Sequence, residues 1–180
     1  MDSAHFYIAL FVHLVSLIIG FGSVLVIDTF GLLMLMGKQP LSQVKKVASV
    51  TQVLIWAGWL GMVISGLNLI ILKGYVDNLT KIKLFFVLIV GLNGVFLHFI
   101  KKAIDKIEEK KDIPKIWMFR MGMATAISQT GWWGALLIGF VHRHIEHNIV
   151  WPQNPYVWIM VIIAVFGLGV IIGESTVKNS

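Results

Sequence analysis

Potential metal ligands are concentrated in one short segment of the chain. His142, His144, Glu146 and His147 lie within six residues of one another. Zinc and copper both accept imidazole and carboxylate ligands. His144 and His147 are three residues apart, so they would share one face of a helix. The cluster predicts a site for a divalent metal ion or a contact with haem; its alternative is a group of histidines solvated at a membrane surface.

A second polar group follows one face of the first apolar run. Its members recur at helical spacing, with His13 at the edge of the stripe: His5, Ala9, Ser16, Gly20 and Ser23. A histidine inside a membrane helix is costly without a partner, and neutral imidazole is a common ligand of iron. The stripe therefore predicts either a packing seam in which His13 bonds to a neighbouring helix, or a ligand for haem or a metal ion.

Polar residues at the other end of the bundle form a third candidate. His98 shares a helical face with Gly91 and Gly94 and lies too far along the bundle to bind the same iron as the first-helix histidine. Asp28, His98 and Arg120 are predicted to form an inner polar cluster. Such a cluster is either a structural ion pair, a proton route or a site for a quinone head group.

Two further patterns concern packing. Trp132 and Trp133 lie at mid-depth of the fourth apolar run, where they either fill the core or form a wall beside a planar cofactor. The second run carries a row of small and polar residues: Ala57, Gly61, Ser65 and Asn68. The fourth run, taken as the neighbour of the second, carries the polar residues Ser128, Gln129 and Thr130.

The amino-acid composition indicates the class of protein to which these residues belong. Of 180 residues, 57% are hydrophobic and 13% are charged, against roughly 25% charged in soluble domains. The chain is therefore predicted to be an integral membrane protein in contact with a lipid bilayer. The absence of cysteine excludes disulfides, thiolate metal sites and iron–sulfur clusters. The net charge is +6, and the basic residues lie in short loops between the apolar runs. This placement is typical of membrane topology, so we predict no nucleic-acid partner.

Five apolar runs are long enough to cross a bilayer as helices. They cover about 5–36, 47–72, 82–100, 118–141 and 156–173, which predicts an all-α, polytopic bundle in a single domain over 1–180. Eleven Lys and Arg residues fall on one side of these spans and four on the other. Since cytoplasmic loops retain Lys and Arg, the N-terminus is predicted outside and the C-terminus in the cytoplasm, in the inner membrane of a prokaryotic cell.

Two segments of the sequence resemble a known group of membrane proteins. They are FVHLVSLIIGFGSVLVIDTFGLLML in the first helix and KIKLFFVLIVGLNGVFLHF in the third. Over about the first 100 residues the chain resembles small bacterial proteins of the CopD copper-resistance family and the HemJ-type protoporphyrinogen oxidases. The resemblance implies a helical bundle that binds haem b, with His13, Lys83 and His98 at the matching positions. The chain differs in having Lys38 where an arginine is expected, and in its fifth helix.

The leading prediction is a haem b-binding membrane protein with a redox role, in electron transfer or as an oxidoreductase. His13 would bind iron in the outer half of the membrane, with His142 or a neighbour as the second ligand, and with His98, Trp132 and Trp133 as further cofactor contacts. The first alternative is transport or handling of copper or another divalent metal ion. The second is a structural or assembly subunit without a cofactor. Quinone, a redox protein and a second copy of the chain are the candidate partners.

Overall fold

The computed structural model describes residues 3–106, 113–144 and 152–178, and these residues form helices without strands. The elements are α1 (Ser3–Leu35), α2 (Leu41–Lys73), α3 (Asn78–Asp105), α4 (Lys115–His144) and α5 (Pro155–Lys178). The predicted all-α class is confirmed. Helices α2 to α5 extend beyond both ends of the apolar runs that predicted them, most clearly α2, which begins at Leu41 instead of 47, whereas α1 ends at Leu35 instead of 36. The first turns of α2 contain Lys45 and Lys46, which hydropathy excludes but which a helix accommodates.

Glycine, proline and aspartate end and begin the helices where the sequence predicts breaks. Gly37, after α1, has φ 70°, and Gly74 caps the end of α2 with φ 79°. These left-handed conformations favour glycine because it has no Cβ. Pro40 precedes α2, and the Asp77 carboxylate accepts a hydrogen bond from the Thr80 backbone N–H at 2.7 Å to cap α3.

Four of the described helices are long and apolar enough to cross a membrane: α1, α2, α3 and α5. This indicates an integral membrane protein in contact with lipid. Helix α4 is not among them, since its middle carries the consecutive polar residues Ser128, Gln129 and Thr130. The number of spans and their direction therefore stay predictions.

The chain divides into two compact units. The first unit, Met1–Val76, contains α1 and α2, which pack against each other along their length. The second unit, Asp77–Ser180, contains α3, α4 and α5. Within it α3 packs mainly on α4, and α5 has smaller contacts with both. The predicted single domain over 1–180 stays a prediction.

The core of the second unit is apolar. Ile82 and Phe86 of α3 pack against Ala135 of α4, with partly buried Val87, Ile138 and Ile162 around them. One buried amide crosses this interface, because Asn93 Nδ2 donates to the Ala124 carbonyl at 2.8 Å. This bond joins α3 to α4 in a region where water is scarce, which makes it a specific contact between the two helices.

Candidate functional site: the α1–α2 seam

The two helices of the first unit are in backbone contact where they cross. A Cβ at Gly58 of α2 would lie 2.5 Å from Gly20 Cα and 2.7 Å from the Ser16 carbonyl oxygen of α1. One turn further along α2, a Cβ at Gly61 would lie 3.2 Å from the Ser16 Cβ. The backbone contact at Gly58 is possible only with glycine, because the backbone of α1 cannot move aside, and it fixes the spacing and register of the two helices.

His13 lies in this seam and bonds to α2. It is 8% exposed, and its Nδ1 lies 3.1 Å from the Met62 carbonyl oxygen and 3.1 Å from Ser65 Oγ. The Ser65 hydroxyl donates to the Gly61 carbonyl at 2.6 Å, so its oxygen is an acceptor toward the histidine. A carbonyl can only accept a hydrogen bond. His13 Nδ1 is therefore the protonated nitrogen, and the lone pair of the neutral ring belongs to Nε2.

Gly66 has no side chain, which leaves space for the His13 ring against α2. A Cβ at Gly66 would lie 3.3 Å from Cε1 and 3.5 Å from Nδ1 of His13, so this edge of the ring faces α2. The close packing at Gly66 and the backbone contact at Gly58 leave no room for a macrocycle between the helices. A planar cofactor on Nε2 would have to stand outside the seam.

A second histidine bonds to α2 nearer the N-terminus of α1. His5 Nε2 lies 3.3 Å from Asn68 Nδ2, whose N–H donates to it, and the His5 side chain is exposed. His5 and His13 are eight residues apart, or about 12 Å along a helix. They are too far apart to hold one metal ion together, because each ligand nitrogen would have to lie about 2 Å from it.

The structure confirms the predicted packing seam and refines its membership. Gly61, Ser65 and Asn68 of the α2 row face α1, but Ala57 is exposed and its neighbour Gly58 makes the contact. The sequence analysis did not name Met62, whose contribution is a backbone carbonyl and leaves no trace in residue type. It also missed Gly66, which directly follows Ser65 and borders the same histidine ring.

The predicted cofactor contacts in the second unit have different environments. Trp132 is fully buried, whereas Trp133 is 45% exposed. Adjacent residues on a helix point about 100° apart, so the two rings do not line one surface. His98 is half-buried, with its ring edge-on to Phe99 at 6.2 Å between centroids. Their roles toward a cofactor stay predictions.

Arg120 has a partner that the sequence analysis missed. Its Nε donates to Glu174 Oε1 at 2.8 Å, and Lys178 Nζ lies 3.6 Å from Glu174 Oε2. The predicted cluster of Asp28, His98 and Arg120 stays a prediction: Asp28 belongs to the first unit, where it is half-buried, and the other two belong to the second. The only sequence signal for Glu174 was an acidic residue at the end of an otherwise apolar helix.

The predicted metal cluster falls largely outside the described residues. His142 and His144 lie in the last turn of α4, but their side chains, Glu146 and His147 are beyond the part that the structure describes. Among the described residues, no three His, Asp or Glu side chains come together as a metal site would need. Zinc or copper binding at this cluster stays a prediction.

Comparisons with protein-family models, with curated proteins and with solved structures find no match to this chain. The resemblance to the CopD and HemJ-type proteins therefore stays a prediction, and the chemistry of the donor set has to be judged from His13 itself. Histidines that bind metals typically donate their other ring N–H to a carbonyl, a carboxylate or water, which fixes the tautomer and ring orientation. His13 meets this requirement through the Met62 carbonyl and Ser65, so its chemistry fits an axial ligand of haem.

Proposed function

We propose that the chain is a haem b-binding integral membrane protein with a redox role, in which His13 is an axial ligand of the iron. The observation that supports this most is the pair of 3.1 Å contacts from His13 Nδ1 to the Met62 carbonyl and to Ser65 Oγ. They require a proton on Nδ1, so the neutral ring has its lone pair on Nε2, and this is the form that binds iron.

When bound, haem supplies reversible electron transfer, and the protein controls it through its ligands and surroundings. The Met62 carbonyl and Ser65 hold the His13 ring in one orientation. Their hydrogen bonds to Nδ1–H also increase the basicity of Nε2. The rigid contact between Gly20 and Gly58 keeps the two helices, and so the ligand, at a fixed spacing.

The proposal includes the finer topology: five spans, with the N-terminus outside the cytoplasm of a prokaryotic cell. The excess of Lys and Arg after the first, third and fifth helices supports this direction. It places His13 in the outer half of the bilayer, within reach of a quinone or of a redox protein outside the cell membrane. Reporter fusions after Lys46, Tyr75, Lys110 and Asn148 should alternate between inside and outside; a periplasmic signal after Lys110 would reverse the direction.

The experiment is an absorption spectrum of the purified protein, as isolated and after addition of haemin. We expect a Soret band that shifts on reduction with dithionite. His13→Ala should lose or strongly weaken this band because the iron loses its axial nitrogen. His5→Ala is the matched control: it removes a histidine from the same helix that cannot share the iron, and the band should persist. Circular dichroism of both variants establishes that they are folded.

A structural or assembly subunit without a cofactor is the second candidate. The specific observation in its favour is that the hydrogen bonds to Met62 and Ser65 already stabilise a buried histidine between two helices. If folded protein takes up no haemin, or if His13→Ala and His5→Ala bind it equally, the haem proposal is wrong and this second candidate takes its place.

A further inference from the structure

One end of the second unit carries two cations on a single carboxylate. This is the end where α4 begins and α5 finishes. Glu174 Oε1 accepts from Arg120 Nε at 2.8 Å, and Glu174 Oε2 lies 3.6 Å from Lys178 Nζ. Arg120 and Glu174 are about one-quarter to one-third exposed, and Lys178 is well exposed. The group therefore has a net positive charge and is open to a ligand.

Arg120 is held in a defined orientation. Its guanidinium lies over the Trp117 ring, 5.3 Å from the ring centroid, while its Nε bonds to Glu174. Among the described residues these are the groups that position it. The bond to Glu174 uses Nε and not the terminal amino groups. A guanidinium edge of this kind matches the oxygens of a phosphate group in geometry and charge.

A shallow, open groove of about 470 Å³ lies on one face of α5, which supplies all of its lining residues; Arg120 of α4 lies beside it through its bond to Glu174. Val170 and Ile171 line its apolar part, and Glu174, Ser175 and Lys178 line the polar part toward the end of the helix. Apolar and charged residues thus follow one another along the helix axis. A phospholipid has the same order, with apolar acyl chains followed by a charged headgroup.

We propose that this groove binds an anionic phospholipid, with its phosphate at Lys178 and Arg120 and an acyl chain along Val170 and Ile171. Charge complementarity favours an anionic lipid, because two cations face one carboxylate. Lys102, near the end of α3, and Lys115, at the start of α4, lie at this same end of the second unit and add to the positive potential that attracts anionic lipids. The site does not depend on haem or on His13.

The test is native mass spectrometry of the purified full-length protein, which counts retained lipid molecules. The probes are phosphatidylglycerol and phosphatidylcholine with identical acyl chains. We expect phosphatidylglycerol to be retained in preference, and Lys178→Gln to reduce its retention about fivefold, the effect of one cation near a lipid phosphate. Lys178 is exposed, so this variant should fold. Lys101→Gln is the control: it removes a cation that pairs with Asp105 on α3, and retention should be unchanged.

Glu174→Gln separates a lipid site from a structural ion pair. Without its carboxylate the two cations no longer share an acidic partner, so retention of phosphatidylglycerol should rise. Equal retention of the two lipids, an equal fall in Lys178→Gln and Lys101→Gln, or a fall in Glu174→Gln would each overturn the proposal. Glycerol 3-phosphate should not displace the lipid at equal concentration; if it does, the site binds free phosphate and the lipid assignment is wrong.

Discussion

Glycine has a different role in each of the two units. In the first unit, Gly58 faces the backbone of Gly20 in the neighbouring helix. In the second unit, Gly134 faces the ring of Phe86, where a Cβ would lie 2.7 Å from two ring carbons. A backbone cannot rotate out of the way, but a side chain can change its rotamer. The α1–α2 seam is therefore rigid where the α3–α4 interface is adjustable, and the rigid seam is the one that contains a buried histidine.

The polar contacts between helices involve different side chains in the two units. Across α1 and α2, His13 is bonded to two acceptors of α2 and His5 to a third position, Asn68. Across α3 and α4, the buried amide of Asn93 donates to the Ala124 carbonyl at 2.8 Å. A side chain that binds a metal or cofactor must be held within about 0.5 Å of the required geometry. At the α1–α2 seam, the two acceptors of His13 and the backbone contact at Gly58 provide that control.

The largest effect is expected for Gly58→Ala. The new Cβ would overlap the Gly20 backbone, so the helices must separate, and we expect a loss of about 3 kcal/mol in the free energy of unfolding. Unfolding in mixed detergent and SDS micelles measures it. Gly22→Ala is the control in the same unit, because no atom lies within 4 Å of its added Cβ. Similar stability of the two variants would contradict the rigid seam.

A smaller effect is expected for Gly134→Ala in the second unit. The Phe86 ring can move aside at a cost of about 1–2 kcal/mol in the free energy of unfolding. The double variant Gly134→Ala/Phe86→Leu should recover part of this loss because the smaller side chain makes room. If Gly134→Ala is as costly as Gly58→Ala, or if Phe86→Leu recovers nothing, the distinction between backbone and side-chain contacts fails.

The smallest effect is expected for Ser65→Ala. His13 keeps the Met62 carbonyl as acceptor, so the loss is that of one hydrogen bond between membrane helices, about 0.6 kcal/mol. The haem-reconstituted variant should keep its Soret band, with a lower affinity for haemin than the unchanged protein. A variant that loses the band entirely would mean that Ser65, and not the Met62 carbonyl, determines the orientation of His13.

The sequence predicted most of the fold, because apolar runs of membrane length leave few alternatives to helices. It predicted the seam at His13, since small and polar residues recur on one face of α1. It placed Ala57 instead of Gly58 in the seam, because neighbouring helical positions differ by only 100° and hydropathy does not fix the rotation. The Met62 carbonyl could not be predicted from residue type. Neither could the pairing of Arg120 with Glu174, 54 residues away, which depends on tertiary packing.

The most direct test of the role assigned to His13 is nitrogen NMR of protein labelled with ¹⁵N-histidine, with His13→Ala used to assign its signals. We predict that His13 Nδ1 is protonated and Nε2 is not, and that addition of haemin changes the Nε2 signal while Nδ1 stays protonated. A His13 ring protonated on Nε2 alone would contradict the hydrogen bond from Nδ1 to the Met62 carbonyl, and a ring protonated on both nitrogens would have no lone pair for iron; either result would remove the basis for iron ligation.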